Sequence, residues 1–299
     1  MIERIKNTRL YVGPVSRNVV EAVIEFVNTT GFSIGFTATV NHIGSNNYTG
    51  LSINDIKELP VCRDHCDNLP NRGTEKDFDI VHIDPWKGNN FYAVVDRTNE
   101  WLGFPYFYEV GTEEAVYPYG AKELDTFLSS VSNERVLYGV VQSGAKLQNG
   151  KNVGEYNELK LVQMIAVCKS YGLLSKEHNG DYLTGEIVKR KFELGVDAIN
   201  IAPEFGSIES CIIWDALDRR GKDIFYSLCF SSLAWRKWIS YDFDFSNKRE
   251  LVRICGHYVF NHYIFKEMIR SRFDNIDKKI KNTIKSRLSE LQTVIEEAV

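Results

Sequence analysis

The sequence predicts a (β/α)8 barrel, the TIM barrel architecture, followed by a helical extension. Eight β-rich apolar runs alternate with amphipathic or turn-rich stretches over the first two thirds of the chain. The runs are continuous rather than alternating in hydropathy, the pattern of a parallel sheet covered on both faces. At 299 residues there is room for one barrel of about 250 residues plus an extension.

The elements follow in order. Arg9–Val12 is the first strand, and the segment after it sets Val19, Val20, Val23, Ile24 and Val27 on one helical face. Ser33–Thr37 and Pro60–Arg63 are the second and third strands, separated by the polar, Asn- and Gly-rich stretch Asn41–Gly50. Asp79–Ile83 is the fourth. Trp86–Phe104 after it has no clear helix pattern, and both long connections suit covers over a site. Tyr106–Val110 and Val136–Val141 are the fifth and sixth strands. Leu159–Val167 and Ile187–Leu194 read as helices on either side of the seventh, Leu173–Lys176, and Ala198–Ile201 is the eighth. The barrel core is expected over residues 1–206 and the extension over 207–299, packed on the barrel or on a partner subunit. Its expected helices are Ser207–Leu217, Asp223–Trp238, Leu251–Arg270 and Lys278–Ala298. In the last, Ile280, Ile284, Leu288, Leu291 and Ile295 form the packing stripe.

Composition narrows the function classes. Hydrophobic residues make up 43% and charged residues 25%, an ordinary globular balance. A net charge of −4 gives no general attraction to nucleic acid or an anionic membrane. The apolar runs fall short of the roughly 20 residues that span a bilayer. Met1-Ile-Glu-Arg-Ile-Lys-Asn lacks the apolar core of a secretory signal, so a cytoplasmic location is expected. Cys62, Cys66, Cys168, Cys211, Cys229 and Cys255 are scattered and expected to be reduced.

In such a barrel the chemistry sits at the C-terminal ends of the strands. Asp64-His65 lies there, directly after Leu59-Pro60-Val61-Cys62. An imidazole in that place can hold a divalent metal, and the adjacent carboxylate can move a proton beside it. His178 follows the seventh strand, and the two histidines can converge over the barrel mouth. His82 and Asp84 flank Ile83 and face one side. His82 is then a third ligand, a support for the ligands, or a buried ring bonded to a neighbouring strand. Glu113-Glu114 are paired carboxylates at the fifth strand's exit; Glu113, Glu109 or Glu177 can complete a site of two imidazoles and a carboxylate. Arg63 can fix a phosphate or pair with Asp64.

Six motifs, in collinear order, resemble the non-catalytic-type (Z) subunits of tagatose-bisphosphate aldolase. Asn41 with Asn47-Tyr48-Thr49-Gly50-Leu51-Ser52 resembles that family's Asn…Gly-Gly-Tyr-Thr-Gly-Met-Thr loop. Asp64-His65 is similar to its Gly-Asp-His-Leu-Gly-Pro, Val81-His82-Ile83-Asp84 to its His-Leu-Asp, and Val110-Gly111-Thr112-Glu113 to its Gly-Thr-Glu. Val140-Val141-Gln142-Ser143-Gly144 is similar to Val-Val-Gln-Pro-Gly. Glu177-His178 with Asp181-Tyr182-Leu183-Thr184 resembles Glu-Ala-His-Ser-Thr-Asp-Tyr-Gln-Thr. The likeness runs over roughly residues 30–205, with a weaker echo around Trp235–Trp238. The family is in turn similar to the class II, metal-dependent sugar-phosphate aldolases.

That resemblance implies a cytoplasmic enzyme of carbohydrate metabolism with a divalent metal, zinc in the aldolases. His65 and His178 would be ligands, with His82 or Glu113 as additional ones. Asp64 would be the catalytic acid/base, and Glu113, read from its place in the carboxylate pair at the fifth strand's exit, a second proton-transfer residue. Asn41, Gln142, Ser143, Gly144, Asn179, Gly180 and Asn200 would contact a sugar or sugar phosphate. One departure stands out: Gln142-Ser143-Gly144 occupies the place of the aldolases' middle histidine, and Gln is a poor zinc ligand but a good partner for sugar hydroxyls. Phosphate would meet N–H groups in Asn179-Gly180 and Ala202–Ser207, where Glu204 opposes a dianion and Lys146, Asn149 and Lys151 can compensate. His42, His257 and His262 read as ordinary residues. Three functions follow: aldol cleavage or condensation through an enediolate, epimerisation at the same metal site, or a non-catalytic partner that stabilises a second aldolase subunit. A homo-oligomer is also compatible.

Overall fold

All eight expected strands form, and in the computed structural model they close into one barrel. The structure describes residues 2–44, 47–67, 75–131, 133–268 and 275–299. In chain order, α1 (Ile2–Lys6) leads to β1 (Leu10–Val12), α2 (Arg17–Thr30), β2 (Ile34–Ala38), α3 (Val40–Ile43), β3 (Val61–Cys66) and β4 (Ile80–Ile83). Next come α4 (Phe91–Leu102), β5 (Tyr108–Val110), α5 (Ala121–Ser130), β6 (Val136–Val141) and a small hairpin of β7 (Leu147–Gln148) and β8 (Lys151–Asn152). Then follow α6 (Glu158–Ser170), β9 (Leu174–Glu177), α7 (Gly185–Glu193) and β10 (Ala198–Ile201). The remaining helices are α8 (Pro203–Ala216), α9 (Arg219–Ser232), α10 (Lys248–Cys255), α11 (Tyr263–Met268) and α12 (Ile276–Glu296).

Around the barrel the order is β1-β10-β9-β6-β5-β4-β3-β2, and every neighbouring pair is parallel. The strands are buried along their whole length apart from a few positions on β3 and β9, which is why their sequences read as continuous apolar runs. Inside, Tyr11, Cys62, Tyr138 and Ala198 pack with Ile5 of α1. The Tyr138 hydroxyl donates to the Ile5 carbonyl at 2.8 Å, so α1 closes the end of the barrel opposite the site.

Three expectations change. Trp86–Phe104 is not an irregular cover, because most of it is α4. Asn90 caps that helix by accepting from Ala93 N at 3.0 Å. Val94, Thr98, Trp101 and Leu102 are its buried face, and a threonine within that face blurs the hydropathy pattern. The Asp223–Trp238 helix stops at Ser232, where Leu233 turns left-handed at φ 56°. Leu251–Arg270 is broken: α10 ends at Cys255 and Gly256–Val259 is a tight 3-10 turn before α11. The last two positions of that expected helix, like two within Asn41–Gly50, lie outside the described residues.

Residues 206 and 207, where the core and extension were expected to meet, lie inside α8. The apolar stripe of α12 is buried against α2, α7 and α8, fastened by Lys281 and Lys285 to Glu25 at 2.7 and 2.9 Å. Leu288 is fully enclosed there. Leu288→Ala is expected to lower unfolding stability by about 2–5 kcal/mol through lost burial and the cavity left behind, read as a lower denaturant midpoint.

Candidate active site

The strand ends open into a cavity of about 950 Å³. Asp64, His65, Glu113, His178, Asn179 and Asn200 all line it, together with Asn41, so most of the sequence-derived site residues converge.

A local irregularity places the first pair. In a regular strand neighbouring side chains face opposite ways. Here β3 is in register with β4 at Cys62–Ile80 and Arg63–Val81, slips, and resumes at Cys66–Ile83. His65 adopts a left-handed φ of 50° within the slip. Asp64 and His65 therefore both reach the mouth, as a bulge allows.

The half-buried His65 and the buried His178 are each anchored by a buried carboxylate. His65 Nδ1 meets Asp84 Oδ2 at 2.7 Å, and His178 Nε2 meets Glu109 Oε1 at 2.5 Å. The remaining nitrogens, His65 Nε2 and His178 Nδ1, have no hydrogen-bond partner among the described residues; Asp64 Oδ2 lies 3.8 Å from the former. His82 is fully buried and engaged on both sides. Its Nδ1 is 3.0 Å from Asp64 Oδ1 and its Nε2 is 3.2 Å from the Gly111 carbonyl, beyond the neighbouring β5. Behind Glu109 stands Lys176, whose ammonium donates to Oε2 at 2.6 Å and sits 3.9 Å over the Tyr11 ring.

These contacts set the charges. Burial alone would raise the Asp64 carboxyl, but His65, the His82 hydrogen bond and His178 hold it well below the usual range. Burial would lower His65; Asp64 and the Asp84 hydrogen bond outweigh it and push the ring up to about 10. Against its burial, Glu109 is held far down by Lys176, His82 and His178. Without a cation, Asp64 and Glu109 are thus ionised and His65 is an imidazolium beside them.

The donor set fits a divalent metal. His65, Glu113 and His178 offer ligand atoms within 4.8 Å of one another, as do Asp64, His82 and His178, and His65, His82 and Asp84. Carboxylates on the far nitrogens of His65 and His178 are the arrangement that orients metal-binding imidazoles. Two imidazoles with one or two carboxylates suit zinc. His82 has both nitrogens engaged, Nδ1 by Asp64 and Nε2 by the Gly111 carbonyl. Glu113 accepts from Asn179 Nδ2 at 2.7 Å, which aims it into the cavity; Asn179 itself is left-handed, at φ 58°.

Other expected contacts are engaged by the protein itself, Arg63 among them although it lines the cavity. The Gln142 amide donates to the Thr112 and Tyr117 carbonyls at 3.0 and 2.9 Å, and its oxygen accepts from Tyr119 N at 3.0 Å, so it tethers the loop after β5. Ser143 donates to Glu177 at 2.5 Å, and Lys191 bonds both, which turns Glu177 away from the mouth. Gly144 donates to Glu114 at 2.6 Å. At Gly144, left-handed at φ 96°, a β carbon would meet the Glu155 carbonyl at 1.9 Å, so this glycine serves loop packing. Gly180 donates to the Asn200 carbonyl at 2.8 Å. Arg63 donates to the Asp64 carbonyl at 2.8 Å.

Thr37, His42, Lys237 and His257 line the cavity although the motifs did not single them out for it. Thr37 sits at a strand's C-terminal end, a readable position; Lys237 falls in the faint Trp235–Trp238 echo; His257 carried no signal. Burial lowers His42 to about 4 and, with Lys237, His257 to about 3. Unfolded histidine protonates near ~6.5, so between pH 6.5 and 4 the unfolded chain binds the extra protons and stability falls with acid, by up to about 1.4 kcal/mol per pH unit for each ring. The urea midpoint is expected to fall across that window, and less steeply in His257→Leu.

No family model matches the chain, and no curated protein matches it. Solved structures do. The chain is similar to fructuronate-tagaturonate epimerase UxaE from Cohnella laeviribosi (TM-score 0.67, 10% identity, 97% of this chain and 82% of that one). It is similar to a probable tagatose 6 phosphate kinase from Sinorhizobium meliloti 1021 (0.65, 14%, 97% and 87%). A weaker likeness is to the YdjI aldolase from Escherichia coli K12 (0.51, 12%, 87% and 90%). At these identities the likeness is one of fold. Among the described residues, no helix is long and apolar enough to cross a membrane.

Proposed function

We propose that this barrel is a metal-dependent enzyme acting on a ketose or its phosphate, by aldol cleavage or condensation of the class II type. The observation that carries the reading is the pair of carboxylate-anchored imidazoles, His65–Asp84 and His178–Glu109, whose other nitrogens face the same cavity. They would hold the cation with Glu113 or Asp64. A bound divalent ion supplies polarisation of the sugar carbonyl. Asp64, ionised and steadied by His82, would take the proton from the substrate hydroxyl; Glu113, aimed by Asn179, would serve the proton on carbon. Asn200 would bind a hydroxyl.

Epimerisation at one carbon uses the same residues, and the closer fold likeness to the UxaE epimerase favours it as a second reading. A purely accessory subunit explains less. Buried polar atoms left unpaired cost about 1–3 kcal/mol each, and the cavity carries several that a scaffold has no reason to keep.

The test is turnover of zinc-loaded protein on ketoses and ketose phosphates, following both triose release and epimer formation. Asp64→Asn, assayed with its metal fully loaded, is expected to lower kcat by about 10²–10⁴-fold. Equal rates for wild type and Asp64→Asn, or no turnover of fully loaded protein on any ketose, would overturn the enzymatic reading.

A further inference from the structure

Barrels of this type commonly bind a phosphate with the loops after the seventh and eighth strands and the start of the following helix. Here that position is already filled by the chain's own carboxylates. The N–H groups of Ala202 and Glu204, at the start of α8, both donate to Asp181 Oδ1, at 2.9 and 2.8 Å. Pro203 between them has no N–H to offer. Tyr182 N, in the loop after β9, donates to Glu204 Oε2 at 2.6 Å, and Gly180 N is engaged by the Asn200 carbonyl. Arg287 of α12 fastens the arrangement, donating to Glu204 Oε1 at 2.7 Å and to the Leu183 carbonyl at 2.9 Å. One turn into α8, the His257 ring lies against Gly206, where a β carbon would meet its Cγ at 2.8 Å. Of the residues named as compensation, Lys146 and Lys151 are exposed and, like Asn149, which donates to Ser240 at 2.8 Å, do not line the cavity, whereas Arg63, Lys87 and Lys237 do.

The same side of the mouth offers neutral hydrogen-bonding atoms. Asn200 Nδ2 and Oδ1, Thr37 Oγ1 and His257 Nδ1 are buried, have no partner among the described residues, and belong to residues lining the cavity. Thr37 and Asn200 stand on β2 and β10, the strands on either side of β1. Their neighbours β3 and β9 lead to His65 and His178.

We infer that the cavity selects an unphosphorylated sugar, because the N–H groups that would receive a phosphate are engaged by Asp181 and Glu204 while Thr37, Asn200 and His257 present unpaired atoms suited to hydroxyls. The inference rests on the sugar reading above.

Calorimetric titration of the zinc-loaded protein tests it, with D-fructose, D-tagatose and D-tagaturonate set against fructose 6-phosphate, tagatose 6-phosphate and inorganic phosphate. At least one unphosphorylated sugar is expected to bind, the 6-phosphates about ten-fold or more weaker, and inorganic phosphate not to compete. Asn200→Ala is expected to weaken the sugar by about ten-fold with Tm unchanged or raised, since the lost amide has no partner to abandon. Tighter binding of a 6-phosphate, with inorganic phosphate competing, overturns this inference and leaves the sugar reading standing. Unchanged sugar affinity in a folded Asn200→Ala protein also overturns it. Failure of every sugar to bind folded, metal-loaded protein overturns both.

Discussion

His65→Ala and His178→Ala are each expected to strip the divalent metal from a protein that otherwise purifies with it near stoichiometry, as read by elemental analysis after dialysis. Both rings present one nitrogen to the cavity while a carboxylate holds the other. Removing either imidazole deletes a ligand outright. Glu109→Gln and Asp84→Asn keep the ligands but loosen their orientation and basicity, so about 10–100-fold in affinity is the expected loss for each. His82→Ala is the control: its nitrogens face Asp64 and the Gly111 carbonyl, so metal should remain. The pH dependence has a definite sign. His65, pushed up to about 10 in the metal-free protein, must give up its proton to bind. Apparent affinity should therefore rise with pH from neutrality towards 10, by about ten-fold per unit for one displaced proton. Metal retained equally by His178→Ala would remove the basis of the mechanism.

The barrel was legible because its strands are buried on both faces, which leaves continuous apolar runs such as Val136–Val141 that no helix periodicity imitates. Asp64, His65 and His178 were legible because strand ends are where such a fold carries chemistry, Asn200 through the family resemblance, and all four line one cavity. What stayed hidden is of two kinds. α4 was missed because its buried face mixes Thr98 with Trp101 and Leu102, so hydropathy loses its period. Gln142, Ser143 and Gly144 sit next to the mouth in sequence yet bond into the loops beside it, because which atoms of a polar side chain are engaged depends on partners far along the chain: Tyr117, Glu177 and Glu114. The Asp181–Glu204–Arg287 cluster joins three elements and has no linear signature. Asp181 is raised above ordinary carboxylates by burial and then by Glu204, a strained acidic pairing visible only once the chain is folded.

Lys176→Met should cost a large part of the protein's stability while leaving the cavity lining intact. Lys176 and Glu109 are both fully buried and 2.6 Å apart. Each holds the other ionised: burial would lower Lys176, but Cys62 and Glu109 raise it, and Lys176 leads the forces that depress Glu109. Deleting the ammonium leaves a buried carboxylate with His178 as its remaining strong partner. Breaking such a pair costs about 3–5 kcal/mol, and at this chain length each kcal/mol moves Tm by about 2–4 °C. Thermal unfolding should therefore drop by roughly 6–20 °C. Replacing both partners, as Lys176→Met with Glu109→Leu, removes the orphaned charge and should recover much of that loss, since apolar substitutes for a buried pair are often neutral or stabilising. The double variant separates two reasons for keeping the pair. If its Tm returns while its metal affinity falls with the loss of the Glu109–His178 bond, the buried charges serve the site, at a stability that apolar residues would match. If Tm stays as low as in the single variant, the pair is a structural element of the barrel, and the anchoring of His178 is incidental to it.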